Sequence, residues 1–95
     1  MTAPFEPWRG YRLNPAVALR REPFGALAYH FGTRRLSFLK APDLVDLVRG
    51  LGSQRSVSEA LAAIPDERHE AYLRALAALA AADMIVPQPD QSEMP

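Results

Sequence analysis

Between residues 25 and 39 hydrophobic and polar side chains alternate, and this period of two predicts a β-hairpin. Gly32 and Thr33 would form a two-residue type II′ turn, with Gly32 at positive φ. This turn pairs Tyr29 with Leu36 and places the larger hydrophobic residues on one side of the hairpin. That side carries Leu27, Tyr29, Phe31, Leu36 and Phe38. We therefore expect it to face the core, and a register shift of one residue would expose it.

A further strand is predicted before the hairpin, in residues 16–22, where Val17 and Leu19 share one side. The four residues 22–25 follow it, with proline second and glycine fourth, which favours a type I turn. The three strands would then form an antiparallel meander. In that order the third strand, residues 34–40, lies at an edge of the sheet.

After residue 41 the hydrophobic period changes to that of a helix. A first helix begins at Pro42, and Gly50 and Gly52 end it. Ser56 and Glu59 have the spacing of a capping box, which predicts a second, short helix. A third helix is predicted for residues 66–83, and the short hydrophobic segment 84–86 follows it.

The predicted fold class is therefore α+β: a three-stranded antiparallel β-meander followed by three helices, as in winged helix-turn-helix domains. We expect a flexible N-terminal arm in residues 1–10, one domain in residues 11–87 and a disordered tail in residues 88–95. Within the arm, Trp8 is expected to anchor the segment to the domain.

Composition and charge narrow the class of protein. The 95 residues suffice for one domain, and the absence of cysteine excludes disulfides and thiolate chemistry. No signal peptide or long hydrophobic run is visible, so we expect a soluble cytoplasmic protein without membrane contact. Residues 1–55 carry a net charge of +5 and residues 56–95 carry −5. This asymmetry is typical either of a basic half that meets an acidic partner or of two differently solvated faces.

No set of residues supports catalysis, and we expect that the chain is not an enzyme. His30 and His69 lack metal-ligand spacing and are expected at the surface. The serines lack a nucleophile elbow, and the glycines form no phosphate-binding loop. We predict no metal site and no cofactor, so the remaining function is binding.

Two surfaces are candidates for binding. The free edge of the third strand could take up an extended chain as an added strand. Arg34, Arg35 and Lys40 flank it, and they would either protect the edge from aggregation or contact carboxylates of an incoming peptide. Helix three could contribute a shallow hydrophobic trough from Tyr72, Ala75 and Leu79, although the same spacing also suits core packing.

The order of these segments resembles that of a known family. The chain reads Gly25-Ala-Leu-Ala-Tyr29, then a strand, then Leu-Val-Asp-Leu-Val-Arg-Gly-Leu, then Ser56-Val-Ser-Glu-Ala-Leu, then a long helix ending Ala-Asp-Met-Ile-Val86. This order, over residues 11–87, resembles the PqqD-like family of RiPP recognition elements. The stretch from Tyr29 to Lys40 is most similar to the chaperones of mycofactocin biosynthesis.

The resemblance implies that the chain binds the leader of a ribosomally synthesised precursor peptide, here a mycofactocin precursor. The leader would add as a strand to the third strand, in a cleft closed by helix three, and would be presented to a radical SAM maturase. The iron–sulfur cluster and S-adenosylmethionine would belong to that maturase. The implied peptide-binding residues are Arg34, Arg35, Leu36, Ser37, Phe38, Leu39, Arg68, Tyr72, Ala75 and Leu79.

The alternative is a winged-helix DNA-binding transcriptional regulator, with helix three as the recognition helix. That helix carries a net charge of −2 between residues 66 and 83. A helix that enters the major groove should not be acidic, so we predict that nucleic acid is not a partner.

Overall fold

The computed structural model describes residues 4–89, and the outermost parts of the predicted arm and tail, residues 1–3 and 90–95, lie outside it. The strands are β1 (Tyr11–Leu13), β2 (Val17–Glu22), β3 (Gly25–His30), β4 (Leu36–Leu39) and β5 (Ile85–Pro87). The α-helices are α1 (Pro42–Gly50), α2 (Val57–Ala60) and α3 (His69–Ala81). Short 3-10 turns occupy Leu51–Ser53, Leu61–Ala63 and Asp66–Arg68. The predicted α+β class is confirmed.

Strands β2, β3 and β4 form the expected antiparallel meander, with β4 at one edge. The register of the hairpin is the predicted one, because Leu27 pairs with Phe38 and Tyr29 with Leu36. The predicted type II′ turn is wrong. Residues 31–34 form the loop, and Arg34 rather than Gly32 has positive φ, at 64°. The backbone N–H of Arg34 donates to the carbonyl of His30 at 2.7 Å, which closes this longer loop in the same register.

The face of the sheet that packs on the core is the opposite of the predicted one. Ala26, Ala28, His30 and Leu39 are buried, whereas Phe31, Leu36 and Phe38 are between 56% and 63% exposed. Helix α1 packs against β3 and β4, and it contributes its own large side chains, Leu44, Val45, Leu47 and Val48, to the core. Small alanines on the facing strand let the helix approach closely while these side chains fill the space. The side of the hairpin with the larger hydrophobic residues was predicted to face the core, and it faces solvent instead.

The turn before the hairpin requires its glycine. Gly25 has a φ of 149°, a conformation that L-residues with a side chain rarely adopt. A Cβ at this position would also overlap the carbonyl oxygen of Leu39 on the neighbouring strand. Gly25 thus allows β3 and the end of β4 to lie side by side.

The chain termini of the domain form a second sheet that the sequence analysis did not predict. Strand β1 pairs antiparallel with β5, and Leu13 lies opposite Ile85. The side-chain amide nitrogen of Gln88 lies 2.8–3.0 Å from three carbonyl oxygens, those of Tyr11, Leu51 and Gln54, which share its two hydrogens. Residues at both ends of the domain are therefore tied to its centre.

The N-terminal segment also contacts the domain. The carbonyls of Pro7 and Arg9 accept hydrogen bonds from the backbone N–H groups of Ser58 and Val57 at the start of α2. The ring of Phe5 lies 5.0 Å from that of Tyr11 and packs on the core. Phe5 rather than Trp8 is thus the docking residue, because Trp8 is 70% exposed.

The helical half follows the predicted boundaries closely. Ser56 caps α2 by accepting a hydrogen bond from the backbone N–H of Glu59 at 3.0 Å, as the capping box indicated. Pro65 precedes a 3-10 turn at Asp66–Arg68, which leads directly into α3. On α3, Tyr72, Leu76 and Leu79 are buried in the common core.

Candidate functional site

The outer edge of β4 offers free backbone groups at Leu36 and Phe38. The N–H of His30 donates to the carbonyl of Arg35 at 2.9 Å, which marks this pair as a hydrogen-bonded one. Hydrogen-bonded and non-hydrogen-bonded pairs alternate along an antiparallel ladder. Ser37 is therefore bonded to β3, whereas the N–H and C=O groups of Leu36 and Phe38 point away from it. These are the groups that an added strand would use.

Side-chain contacts join the residues at both ends of α3 to the segments that flank β4. At its start, the guanidinium of Arg68 lies 2.8 Å from the carboxylate of Asp43, which follows β4 at the beginning of α1. At its end, Asp83 bonds to His30, which lies opposite the first residues of β4. These two contacts fix the ends of α3 relative to the hairpin, and the cleft between α3 and the free edge stays a prediction.

The contact at the second end is a polar network around the buried side chain of His30, a residue expected at the surface from the sequence. His30 is 5% exposed, and its Nδ1 accepts hydrogen bonds from the backbone N–H groups of Gly32 and Thr33 at 3.0 and 3.1 Å. This leaves the proton of the neutral ring on Nε2, which donates to Oδ2 of Asp83 at 2.9 Å. Both nitrogens of the ring are in hydrogen bonds within the protein. His30 therefore holds the hairpin loop against the end of α3.

The predicted site residues on α3 differ in accessibility. Tyr72 and Leu79 are 9% and 6% exposed and belong to the core, whereas Ala75 is half-buried. Helix α3 packs mainly against β5 rather than against β4. A peptide on the β4 edge would therefore reach Ala75 more readily than Tyr72 or Leu79. Arg68 is exposed, but Asp43 already neutralises it.

The basic residues around β4 remain available for a ligand. Arg34, Arg35 and Lys40 are all exposed. In the part of the chain that the structure describes, none of the three forms an ion pair. Since exposed ion pairs between flexible side chains are weak, these charges would favour an acidic partner more through long-range attraction than through fixed contacts.

A hydrophobic surface that the sequence analysis assigned to the core lies on the solvent side of the sheet. We call it the outer face; it consists of Phe24, Leu27, Tyr29, Phe31, Leu36 and Phe38. Leu27 and Tyr29 are half-buried, and the remaining four are exposed. Within residues 4–89 no helix covers it, since α1 packs on the opposite side. The alternating pattern identified this set correctly and gave no information on which side the helices would take.

No described cavity coincides with the predicted site. A cavity of about 370 Å³ lies between α1 and residues 60–65, and another of about 630 Å³ lies between the N-terminal segment, residues 52–55 and Gln88. Between residues 4 and 89, no group of three or more potential ligand side chains could hold a metal ion. No helix in the same range combines the length and hydrophobicity needed to cross a membrane.

Comparison with known proteins extends these observations. Residues 10–86 match the model of the peptide chaperone MftB family. A peptide chaperone MftB from Mycobacterium ulcerans is 51% identical over 86 residues, which cover 88% of this chain and 79% of the relative. Those from Mycobacterium tuberculosis and Mycolicibacterium smegmatis are 48% and 46% identical, over 88% and 87% of this chain and 79% and 83% of theirs. The search of solved structures gave no significant match.

These matches confirm the resemblance that the sequence order had indicated. All three relatives are named as peptide chaperones, which are not catalysts. The expectation that the chain is not an enzyme is therefore confirmed.

Proposed function

The chain belongs to the peptide chaperone MftB family, and on this premise we propose that it binds the leader of a mycofactocin precursor peptide and presents it to a radical SAM maturase. The observation that carries the proposal is the free edge of β4, with outward-facing backbone groups at Leu36 and Phe38. These free groups are what the addition of a peptide strand needs.

The leader adds to β4 as an antiparallel strand. Its backbone exchanges hydrogen bonds with Leu36 and Phe38, and its side chains alternate between the two faces of the sheet. One set points inward toward Ala75 and the margin of the core at Tyr72 and Leu79. The other set lies beside the side chains of Leu36 and Phe38. The full proposed site is Arg34, Arg35, Leu36, Ser37, Phe38, Leu39, Arg68, Tyr72, Ala75 and Leu79.

The expected affinity is the balance between hydrogen bonds and hydrophobic contacts, which favour binding, and the ordering of the peptide, which opposes it. The outward groups of two residues provide up to about four ladder hydrogen bonds, each worth roughly 1 kcal/mol net. Two or three hydrophobic anchors add about 1.5–3 kcal/mol each, and ordering the peptide takes back several kcal/mol. With three anchors at the upper end of that range, the balance is about −7 to −10 kcal/mol, which corresponds to dissociation constants from micromolar to tens of nanomolar.

In this proposal the chemistry takes place on the maturase. A radical SAM enzyme holds its iron–sulfur cluster through cysteine thiolates, and this chain contains no cysteine. The chaperone presents the peptide in a fixed register. This reduces the entropic cost of ordering the peptide when the enzyme binds it.

A titration of the ¹⁵N-labelled chain with a synthetic leader peptide tests the proposal. Amide shifts should concentrate in residues 34–39 and along α3, and a peptide of the same composition in scrambled order should not produce them. Shifts that map to α1 and α2 and leave β4 unchanged would show that the added-strand arrangement is wrong. The absence of any shift at millimolar leader would overturn leader binding altogether.

A further inference from the structure

The outer face of the sheet has the properties of a protein-docking surface distinct from the β4 edge. Phe31, Leu36 and Phe38 are each more than half exposed, and Phe24 is 41% exposed. Large hydrophobic residues that stand alone on a surface need no explanation, but a contiguous patch of this kind marks a contact site. We propose that the outer face binds a folded protein with a hydrophobic patch bordered by carboxylates. Given the proposed function, on which this identification rests, that protein is the radical SAM maturase.

The aromatic side chains of the outer face form two pairs. The rings of Phe24 and Phe38 lie 5.9 Å apart, and those of Tyr29 and Phe31 lie 5.1 Å apart in an edge-to-face arrangement. Aromatic pairs at such distances attract each other beyond the contribution of their buried area. The rings therefore form one continuous hydrophobic surface rather than isolated side chains.

Charge selects the kind of partner. Arg34 and Arg35 lie in and next to the hairpin loop and Lys40 follows β4; all three are exposed, and within residues 4–89 none of them forms an ion pair. Arg20 and Glu22 lie on the outer face at the far strand and form an ion pair at 2.7 Å, so together they add no net charge. Two copies of the chain packed face to face would bring these cations together, which disfavours self-association through the outer face. A partner with acidic residues around its patch is attracted instead.

The outer face is also continuous with the proposed leader site. A strand added to β4 places every second side chain beside Leu36 and Phe38, and therefore extends the same face by one strand. An enzyme seated on the outer face would contact both the chaperone and these leader side chains. The enzyme is thus held next to the bound peptide, and it does not compete with the peptide for the backbone groups of the β4 edge.

The test compares two binding reactions on one set of variants. The double variant Tyr29→Ser with Phe31→Ser removes hydrophobic area from the outer face but leaves β4 unchanged. Trp8→Ser is the matched control, because Trp8 is 70% exposed, close to the 63% of Phe31, but belongs to the segment that contacts α2. Each protein is titrated with a fluorescent leader peptide and, separately, with the purified radical SAM maturase of the same precursor. Amide spectra establish that each variant is folded.

We expect the double variant to bind the maturase at least tenfold more weakly and the leader within twofold of the wild type. Trp8→Ser should match the wild type in both reactions. Arg20→Glu, on the strand farthest from β4, should also weaken maturase binding and leave leader binding unchanged. If the double variant does not fold, this variant tests whether the outer face binds the maturase.

Several results would overturn the inference. One is a maturase affinity that the outer-face variants leave unchanged, or that only Trp8→Ser lowers. Another is wild-type protein that does not bind the maturase. A third is a wild-type dimer in sedimentation experiments that the double variant converts to monomer, since a second copy would then occupy the face. Failure of the wild type to bind leader would instead contradict the proposed function, and the maturase reaction would still decide the role of the outer face.

Discussion

Nε2 of His30 lies 2.9 Å from Oδ2 of Asp83, and the two residues are 53 positions apart in the chain. Asp83 follows α3 and has a φ of 64°, a conformation that asparagine and aspartate tolerate better than most residues. The side-chain amide of Asn14 donates to the same carboxylate at 3.1 Å and to the carbonyl of Asp83 at 2.9 Å. Three separate segments therefore meet at this point, and the hairpin loop is fixed relative to α3.

We predict that His30→Ala destabilises the domain by about 1–3 kcal/mol, because it removes a buried ring together with its hydrogen bonds to Gly32, Thr33 and Asp83. Asp83→Asn should cost much less, since asparagine keeps both an oxygen acceptor and the tolerance for positive φ. Denaturant unfolding of the two variants measures the difference. Equal and negligible losses would show that the network is not structural.

The burial pattern predicts opposite effects for two neighbouring residues of β4. Leu39→Ala should lower the free energy of unfolding by about 2–5 kcal/mol, because Leu39 is fully buried. Phe38→Ala should change it by no more than about 1 kcal/mol, since the exposed ring loses only its contact with Phe24. Thermal unfolding distinguishes the two. If Phe38→Ala proves as destabilising as Leu39→Ala, the outer face is buried in solution.

A proline scan separates backbone from side-chain contributions at the β4 edge. Phe38→Pro removes an N–H that points outward, so the protein should fold and bind the leader at least tenfold more weakly than Phe38→Ala, which retains the N–H. Ser37→Pro removes an N–H that bonds to β3 and should disrupt the hairpin itself. Amide spectra and leader titrations provide both measurements. Equal leader affinity for Phe38→Pro and Phe38→Ala would contradict strand addition.

Replacement by alanine should change the free energy of unfolding in opposite directions at Gly25 and Gly50. Gly25→Ala places a Cβ against the carbonyl of Leu39 at a positive φ, and we expect a loss of several kcal/mol or failure to fold. Gly50 has helical φ and ψ and no atom near its missing Cβ, so Gly50→Ala should stabilise the protein by about 0.4–1 kcal/mol. Unfolding curves of both variants check this, and a tolerated Gly25→Ala would contradict the strand geometry.

We predict that the protein does not bind duplex DNA at physiological salt. The two basic residues of the third helical segment are both in ion pairs, Arg68 with Asp43 at 2.8 Å and Arg74 with Glu70 at 3.8 Å. The segment has a net charge of −2 between residues 66 and 83. Phosphate contacts need free cations, so no mobility shift is expected. Tight binding that weakens steeply with added salt would overturn this prediction.

The sequence by itself determined the strands of the meander and the three helices that follow it. The strand register, the capping of α2 by Ser56 and the start of α1 at Pro42 all depend on residues close together in the chain. Local backbone preferences and short-range periodicity are sufficient for such features. The family also follows from the order of these elements and from sequence similarity. The residues of the peptide site remain a prediction that rests on the same order.

Only the tertiary structure decided which face of the sheet is covered. Both faces of the hairpin contain hydrophobic residues, and alternation separates the two sets without indicating where α1 will pack. The close approach of α1 to Ala26 and Ala28 and the bond between His30 and Asp83 depend on residues far apart in sequence. The pairing of β1 with β5 also depends on residues far apart in sequence. It was not predicted because strands of three residues carry almost no periodic signal of their own. Local patterns therefore defined the hairpin, while long-range packing left its larger side chains, from Phe24 to Phe38, exposed to solvent.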